Sequence, residues 1–201
     1  MSATSALAQE KRLIKLPPPQ TTGGGELLNA LTARKSTRAF SPRPLPQDLL
    51  STLLWAAFGI NRPATGGRTA PSAHGWQEID VYAALPDALY QYDAASHALA
   101  LAVARDLRPL TGVQDYVGMA PLNLVYVTDF SRMKDASEAD RVFFAATDAA
   151  VIAQNVYLCC AAMNLATVVR GLVDRKQLAH AMQLRREQRI VLAQSVGYPQ
   201  A

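Results

Sequence analysis

The sequence has few of the residues that usually form disulfides or bind metals. Its two cysteines, Cys159 and Cys160, are adjacent, and neither a CxxC spacing nor a paired-histidine spacing occurs. Adjacent cysteines almost never bond to each other, and these two lie in an apolar, alanine-rich run, so we predict that they are small core residues. A disulfide scaffold is therefore excluded, and no metal site is expected.

Several common functional signatures are also missing. The glycines at 23–25 do not follow a predicted strand and lack the GxGxxG spacing of a dinucleotide-binding turn. There is no Walker loop and no Gly-x-Ser-x-Gly elbow. Only 7% of the residues are aromatic, the net charge is a modest +4, and the cations form no continuous stripe, which disfavours nucleic-acid binding. No apolar run is expected to span a membrane.

The 201 residues are enough for one domain with a real core. We predict an extended, proline- and glycine-rich N-terminal arm at residues 1–25 and a single domain at residues 26–201. The triplet Ala6-Leu7-Ala8 resembles a signal-peptidase site. Two alternatives therefore stay open: a disordered tail on a cytoplasmic protein, or the remnant of a signal peptide on an exported, periplasmic one.

Hydrophobic spacing predicts interleaved helices and strands. The longest predicted helix, residues 138–164, is apolar nearly all round, so we expect it in the core or in a subunit interface. Its polar residues are expected to share one stripe. Because the elements lack a regular βαβ rhythm, the pattern favours an α+β fold. The other predicted elements are helices within 23–34, 44–60 and 174–182 and strands within 77–85, 87–93, 97–103, 121–129, 165–170 and 188–199.

Three short segments carry residues suited to ligand binding. The cluster Arg34–Arg38, RKSTR, combines guanidinium groups, an ammonium group and hydroxyls that suit phosphate oxygens, although a solvated basic turn has the same composition. The stretch 71–77, PSAHGWQ, ends a long Gly/Pro loop and is either functional or a loop with a packing tryptophan. Arg170-Gly171 ends a strand, where it is either an ordinary turn or a backbone that a planar ring can approach closely.

Four segments in this order together resemble the nitroreductase family of flavin enzymes. They are ARKSTRAF with LPQDLLSTLLWAAFG, then RTAPSAHGWQEIDVYAA, ATDAAVIAQNVYLCCAAMNLATVVRG and VLAQSVGYP, and they span residues 26–199. The RTAPSA loop is most similar to that of the SagB-type dehydrogenase subgroup. The resemblance implies an α+β fold with a central, mostly antiparallel sheet flanked by helices, in an interlocked homodimer whose spine is the 138–164 helix.

The resemblance also implies a cofactor and its contacts. FMN is expected at the dimer interface, taking hydride from NAD(P)H and passing it to a small acceptor, such as a nitroaromatic or a quinone, in a ping-pong sequence. The alternative is a flavin-binding protein that stores or senses the cofactor. No side chain is expected to be catalytic by itself. The implied FMN contacts are Arg34, Lys35, Ser36 and Arg38 at the phosphate and pyrimidine, Pro71, Ser72 and Ala73 from the other subunit, and the main chain of Arg170 and Gly171 near N5 and O4.

Two positions depart from the family pattern. Gly75 stands where many relatives carry an asparagine, and the chain has no lysine or arginine after Gly197-Tyr198-Pro199 to help bind the phosphate. The resemblance therefore leaves open which further cation assists the RKSTR segment. The candidates named by the sequence are Arg185, Arg186 and Arg189.

Overall fold

A seven-stranded antiparallel sheet organises the computed structural model, which describes residues 12–23 and 25–200. The strand order is β1-β6-β5-β4-β7-β9-β8, and every neighbouring pair is antiparallel. The predicted α+β class with an antiparallel sheet is thereby confirmed. The elements are β1 (Leu13–Lys15), α1 (Leu27–Ala33), α2 (Gln47–Phe58), β2 (Ile60–Arg62), β3 (Gly67–Arg68), β4 (Ile79–Ala84), β5 (Leu89–Asp93), β6 (Ala98–Val103), β7 (Leu122–Asp129), α3 (Glu138–Ala162), β8 (Ala166–Arg170), α4 (Arg175–Ala181) and β9 (Gln188–Gly197).

The middle of the sheet is covered on both faces. All eight residues of β7 are buried, which explains why its sequence, LNLVYVTD, is largely apolar instead of alternating. One face packs on α2 and α3, and the other on α4. At the sheet edge, β8 pairs only with β9, so its second side is available to the segment that precedes Phe40.

Helix α3 is the main packing partner of the sheet. It begins after Ser137, whose Oγ accepts a hydrogen bond from Asp140 N, with Glu138 and Asp140 in its first turn. By length and composition alone, with a mean hydropathy of 1.4 over its most apolar 18 residues, it could cross a membrane, and the expectation that no run does so stays a prediction. One side of the helix nevertheless packs in the core described here. The buried members are Ala145, Ala149, Ile152, Ala153, Val156 and Cys160.

The N-terminal region contributes to the sheet, which the sequence reading of residues 1–25 as a separate arm did not anticipate. Strand β1 pairs with β6, with Ile14 opposite Leu99, and Leu16 is buried in the core. The Ala6-Leu7-Ala8 triplet lies outside the described residues. The long loop at 59–76 likewise contains a small hairpin, β2–β3, that the glycine and proline content obscured.

Candidate functional site

The RKSTR segment is anchored along the edge strand β8. Thr37 N donates to Thr167 O at 2.9 Å, which continues the hydrogen bonding of the sheet without forming a regular strand. The Tyr157 hydroxyl accepts a hydrogen bond from Val169 N at 3.0 Å and lies 2.8 Å from Ser36 Oγ. Either hydroxyl can be the donor in the contact between Tyr157 and Ser36. The segment is thus fixed next to the strand that ends in Arg170-Gly171.

The cations of this segment have no carboxylate partner among the described residues. Arg34, Lys35 and Arg38 form none of the ion pairs found there, and Lys35 and Arg38 are exposed. The Arg34 guanidinium lies 5.4 Å from the Tyr157 ring centroid. A fourth cation lies five residues after this segment in the sequence: Arg43, whose guanidinium stacks on Tyr198 at 4.3 Å. Three unpaired cations on an anchored backbone form a fitting site for a phosphate group.

The Arg170 side chain lies in the interior of the protein and has a structural role there. Its side chain is only 4% exposed, and its guanidinium donates to Thr111 O at 2.7 Å and Asn123 Oδ1 at 2.9 Å. Burial lowers the pKa of Arg170 to about 10, so the group stays charged at neutral pH. The sequence-based alternative of a surface charge at a turn is therefore wrong. The side chain points into the protein, and only the backbone remains for the predicted ligand contact.

Gly171, by contrast, is exposed and has open space beside its backbone. A Cβ added there would meet only Leu192 Cδ2, at 4.0 Å, and the φ angle lies outside the left-handed region. The backbone angle therefore does not require glycine at this position. Because Gly171 has no side chain, a ligand can approach the backbone at the end of β8 closely, and the open space there fits a planar ring.

The 71–77 loop packs on α3. Ser72 Oγ accepts from Gln77 N at 2.8 Å and donates to Glu78 Oε2 at 3.1 Å, while Ala73 N donates to Asp148 Oδ2 at 2.8 Å. His74, with φ of 52°, stacks on Trp76 at 4.4 Å between ring centroids. The loop is thus a rigid turn held by buried carboxyl groups.

The loop and the RKSTR segment do not meet within one chain. The loop contacts α3 at Asp148, whereas the RKSTR segment contacts it at Tyr157, nine residues later. At about 1.5 Å per residue, these points lie roughly 13 Å apart along the helix axis. Within one chain, Pro71, Ser72 and Ala73 therefore lie along a different part of α3 from the basic segment.

The Glu78 carboxyl group gives the loop a pH-dependent contact. Glu78 is fully buried, its Oε1 has no hydrogen-bond partner among the described residues, and it forms no ion pair there. Burial, followed by the nearby charge of Asp148, raises the pKa of Glu78 above its ordinary value of 4.5. The folded protein therefore holds this proton more tightly than the unfolded chain does.

We predict that Glu78 makes the protein less stable as pH rises. Its favourable effect is fully present below the ordinary pKa of 4.5 and is lost as the pH rises towards the raised folded value. Glu78→Gln keeps an acceptor for Ser72 without a charge. In urea denaturation, the unfolding free energy of this variant should rise relative to that of the original protein as the pH is raised above the ordinary pKa of 4.5. Glu187→Gln, at an exposed glutamate, is the matched control, and parallel pH curves for Glu78→Gln and the original protein would contradict the assignment.

The additional cations suggested by the sequence lie elsewhere in the protomer. Arg185 pairs with Asp129, and Arg189 donates to backbone carbonyls near its own position. Along β9, Arg189 is seven residues from Val196, which pairs with Thr167 beside the basic segment. That separation is roughly 23 Å at the usual strand rise. Within one chain, these arginines do not supplement the RKSTR segment.

The cysteines are not candidate nucleophiles. Cys160 is fully buried and Cys159 lies 3.7 Å from the Met163 sulfur. Burial raises the pKa of Cys159 to about 11. Both thiols therefore stay protonated at neutral pH, as the predicted core position implies.

Sequence reasoning missed two supporting residues, Tyr157 and Glu78. Tyr157 lies in a run of apolar residues, and nothing in its spacing shows that its hydroxyl would join two distant segments. The polar residues of α3, which the sequence predicted to share one stripe, lie on two different sides of the helix. Asp148 and Asn155 bind the backbone of Ala73 and Ala56, whereas Thr147 and Gln154 are exposed.

Comparisons with known proteins identify relatives that share this arrangement of elements. The profile of the nitroreductase family matches residues 31–198. A candidate nitroreductase of Methanocaldococcus jannaschii is 27% identical over 157 residues, covering 73% of this chain and 78% of the relative. The solved structure of a candidate nitroreductase from Ralstonia eutropha JMP134 is 48% identical with a TM-score of 0.91, covering 98% of this chain and 93% of that one. The NADPH:FMN oxidoreductase of Vibrio harveyi shares the fold, with a TM-score of 0.65 at 20% identity, over 87% of this chain and 69% of that one.

Proposed function

The chain belongs to the nitroreductase family of oxidoreductases, and we propose that it is an FMN-dependent enzyme that passes hydride from NAD(P)H to a small acceptor. One observation carries this proposal. The unpaired cations Arg34, Lys35 and Arg38 lie on a segment that is anchored beside β8, and β8 ends in the open backbone of Gly171. An anion site and a space for a planar ring thus lie along the same strand.

Each part of the chain has a distinct task in this proposal. The Arg34, Lys35 and Arg38 side chains bind the phosphate, and Ser36, oriented by Tyr157, presents its hydroxyl to the same group. The backbone N–H of Gly171 faces the ring edge. When bound, FMN supplies the hydride chemistry in a ping-pong sequence, with donor and acceptor using the site in turn.

The rigid 71–77 loop is proposed to complete the site of the other subunit. Its turn is fixed by Ser72, Glu78 and Asp148, so Pro71–Ala73 form a preorganised wall. Such a wall excludes water and holds the ring in place. Membership of the SagB-type subgroup, suggested by Arg68–Ala73, stays a prediction, as does a nitroaromatic or quinone acceptor.

Steady-state assays test the proposed turnover. The FMN-loaded protein should oxidise NADH or NADPH continuously when a nitroaromatic or a quinone is supplied, because each acceptor molecule regenerates the starting state. A protein that binds FMN but supports no such oxidation would instead have the storage or sensing role. The initial-rate pattern then tests the ping-pong sequence, which gives parallel double-reciprocal lines.

We also propose a homodimer built on α3 and α1. The outer side of this helix pair exposes several large apolar side chains that a monomer would leave in water. They include Phe143 on α3, which is 61% exposed, and Leu27, Leu28 and Leu31 on α1, which are 62%, 71% and 47% exposed.

We predict that Ala150→Arg disrupts this dimer. Ala150 is exposed on α3, and a guanidinium there would be buried without a partner in a two-fold interface. Light scattering should give twice the chain mass of 21.7 kDa for the original protein and the single chain mass for the variant. Ala95→Arg, at an exposed position in the β5–β6 turn, should remain dimeric. A monomeric original protein that still binds FMN would overturn the proposal.

A further inference from the structure

A second cationic site lies at the other end of α3, away from the RKSTR segment. It is a groove of about 640 Å³ between the first turns of α3, the start of α4 and the start of β9. Its apolar wall includes Phe130, Val142 and Val191. This volume suits a small organic ligand, and the site is not used by any of the FMN contacts proposed above.

The groove has an excess of positive charge. Its lining includes four arginines and only two glutamates, which leaves a formal charge of +2. None of the four guanidiniums forms an ion pair within residues 12–23 and 25–200. The arginines are Arg141, Arg175, Arg186 and Arg189, and the glutamates are Glu138 and Glu187.

Two of these arginines are held in place by the backbone. Arg141 donates to Met133 O and Lys134 O, and Arg175 donates to Ile190 O and Val191 O, at 2.9 to 3.1 Å. Each guanidinium has five N–H donors, so each keeps donors for a ligand. Because both guanidiniums are already oriented, less side-chain entropy is lost when they bind an anion.

An unpaired polar group lies on the floor of the same groove. Thr128 is 1% exposed, lines the groove, and its hydroxyl makes no hydrogen bond to any residue that the structure describes. Buried hydroxyls without a partner are uncommon because desolvation is costly. The Thr128 hydroxyl, together with the arginines, indicates a polar ligand instead of an apolar one.

The groove adjoins the end of the proposed ring site. Arg170 pairs with Ala193 across β8 and β9, and Leu192 is the residue nearest to the open space at Gly171. The next residues of β9, Val191 and Ile190, line the groove. A ligand could therefore extend from the Gly171 edge into the cationic groove.

We propose that this groove binds the phosphate-bearing adenosine end of the dinucleotide that delivers hydride. The inference rests on the proposed function, because that function supplies the donor. The donor this groove suits is NADPH, whose 2′-phosphate is a monoester with a charge of about −1.5 to −2 near neutral pH, which matches the excess charge of the groove. Guanidinium forks bind phosphate oxygens in pairs, and the apolar wall accommodates the adenine.

Titration calorimetry of the FMN-loaded protein with 2′,5′-ADP tests the site without any turnover. Arg186 is the best position to change, because its exposed side chain makes no hydrogen bond or ion pair to another described residue. Arg186→Gln should weaken 2′,5′-ADP binding about tenfold, and the double variant with Arg189→Gln should weaken it further. Lys176→Gln, which neutralises an exposed cation on α4 outside the groove, should bind as the original protein does.

Binding measurements with two further ligands distinguish a nucleotide site from a general anion site. Adenosine should bind weakly, and inorganic phosphate should displace 2′,5′-ADP only at far higher concentration. Unchanged 2′,5′-ADP binding in the double variant, or displacement by phosphate at equal concentration, would overturn the proposal. Flavin absorbance is recorded in parallel: loss of FMN binding in the original protein would count against the proposed function, whereas calorimetry reports on the groove alone.

Discussion

Replacing Arg34 and Arg38 together by alanine should almost abolish FMN retention while leaving the fold intact. Both cations lack carboxylate partners among the described residues, so their removal breaks no internal ion pair. Each charge-assisted bond to a phosphate contributes about 1.5–3 kcal/mol, so losing two should weaken FMN binding roughly a hundredfold or more. Flavin content after gel filtration and the Kd for added FMN measure the effect.

Arg43→Ala is the matched control for this change. Arg43 follows the same basic segment in the sequence, but its guanidinium stacks on Tyr198. It should therefore retain nearly full FMN affinity and lose a little thermal stability, since an exposed cation–π contact contributes about 0.5–1 kcal/mol. Equal flavin content in the double variant and the original protein would show that the RKSTR segment is not the phosphate site.

Gly171→Val should weaken FMN binding strongly without destabilising the FMN-free protein. Within the chain, a Cβ at this position meets only Leu192 at 4.0 Å, and the backbone needs no left-handed angle. Steric conflict can then come only from a bound ligand or from the second subunit. We expect an unchanged melting temperature for the FMN-free variant, a loss of FMN affinity of at least roughly tenfold, and a smaller loss for Gly171→Ala.

Substitution of the neighbouring residue, Arg170, should have the opposite effect and lower the stability of the protein. Arg170→Ala removes a buried guanidinium and its bond to Thr111 O, while Asn123 Oδ1 still accepts from Ser195 Oγ. Each unsatisfied buried acceptor costs about 1–3 kcal/mol, so this variant should lose much of its unfolding free energy. A folded Gly171→Val protein with normal FMN affinity would remove the end of β8 from the site. Differential scanning calorimetry with and without FMN separates the two effects.

The sequence predicted the helices and strands better than the connections between them. The strands β5 and β6, the long α3 and the α+β class follow from local patterns, whereas the antiparallel sheet was implied by the family resemblance, and all of these are confirmed. Local patterns also located the RKSTR segment. They could not show that β1 joins the sheet, because three residues followed by prolines carry too short a signal for a strand.

Side-chain direction was the main limit of the sequence reading. Arg170-Gly171 ends a strand, and the sequence alone does not show which of the two meets the ligand space. The answer depends on Thr111 and Asn123, which are distant in the chain and accept the guanidinium bonds. The same holds for Arg186 and Arg189, whose relation to the RKSTR segment depends on the antiparallel pairing of β8 and β9.

The most direct test of the central claim is an anaerobic absorbance spectrum of the purified protein, taken before and after NAD(P)H is added. The account predicts a yellow protein with about one FMN per chain, whose flavin absorbance is bleached by NAD(P)H and restored by a quinone or a nitroaromatic. A protein that is colourless after purification and takes up no added FMN would contradict the account. So would a flavin-loaded protein that neither NADH nor NADPH bleaches.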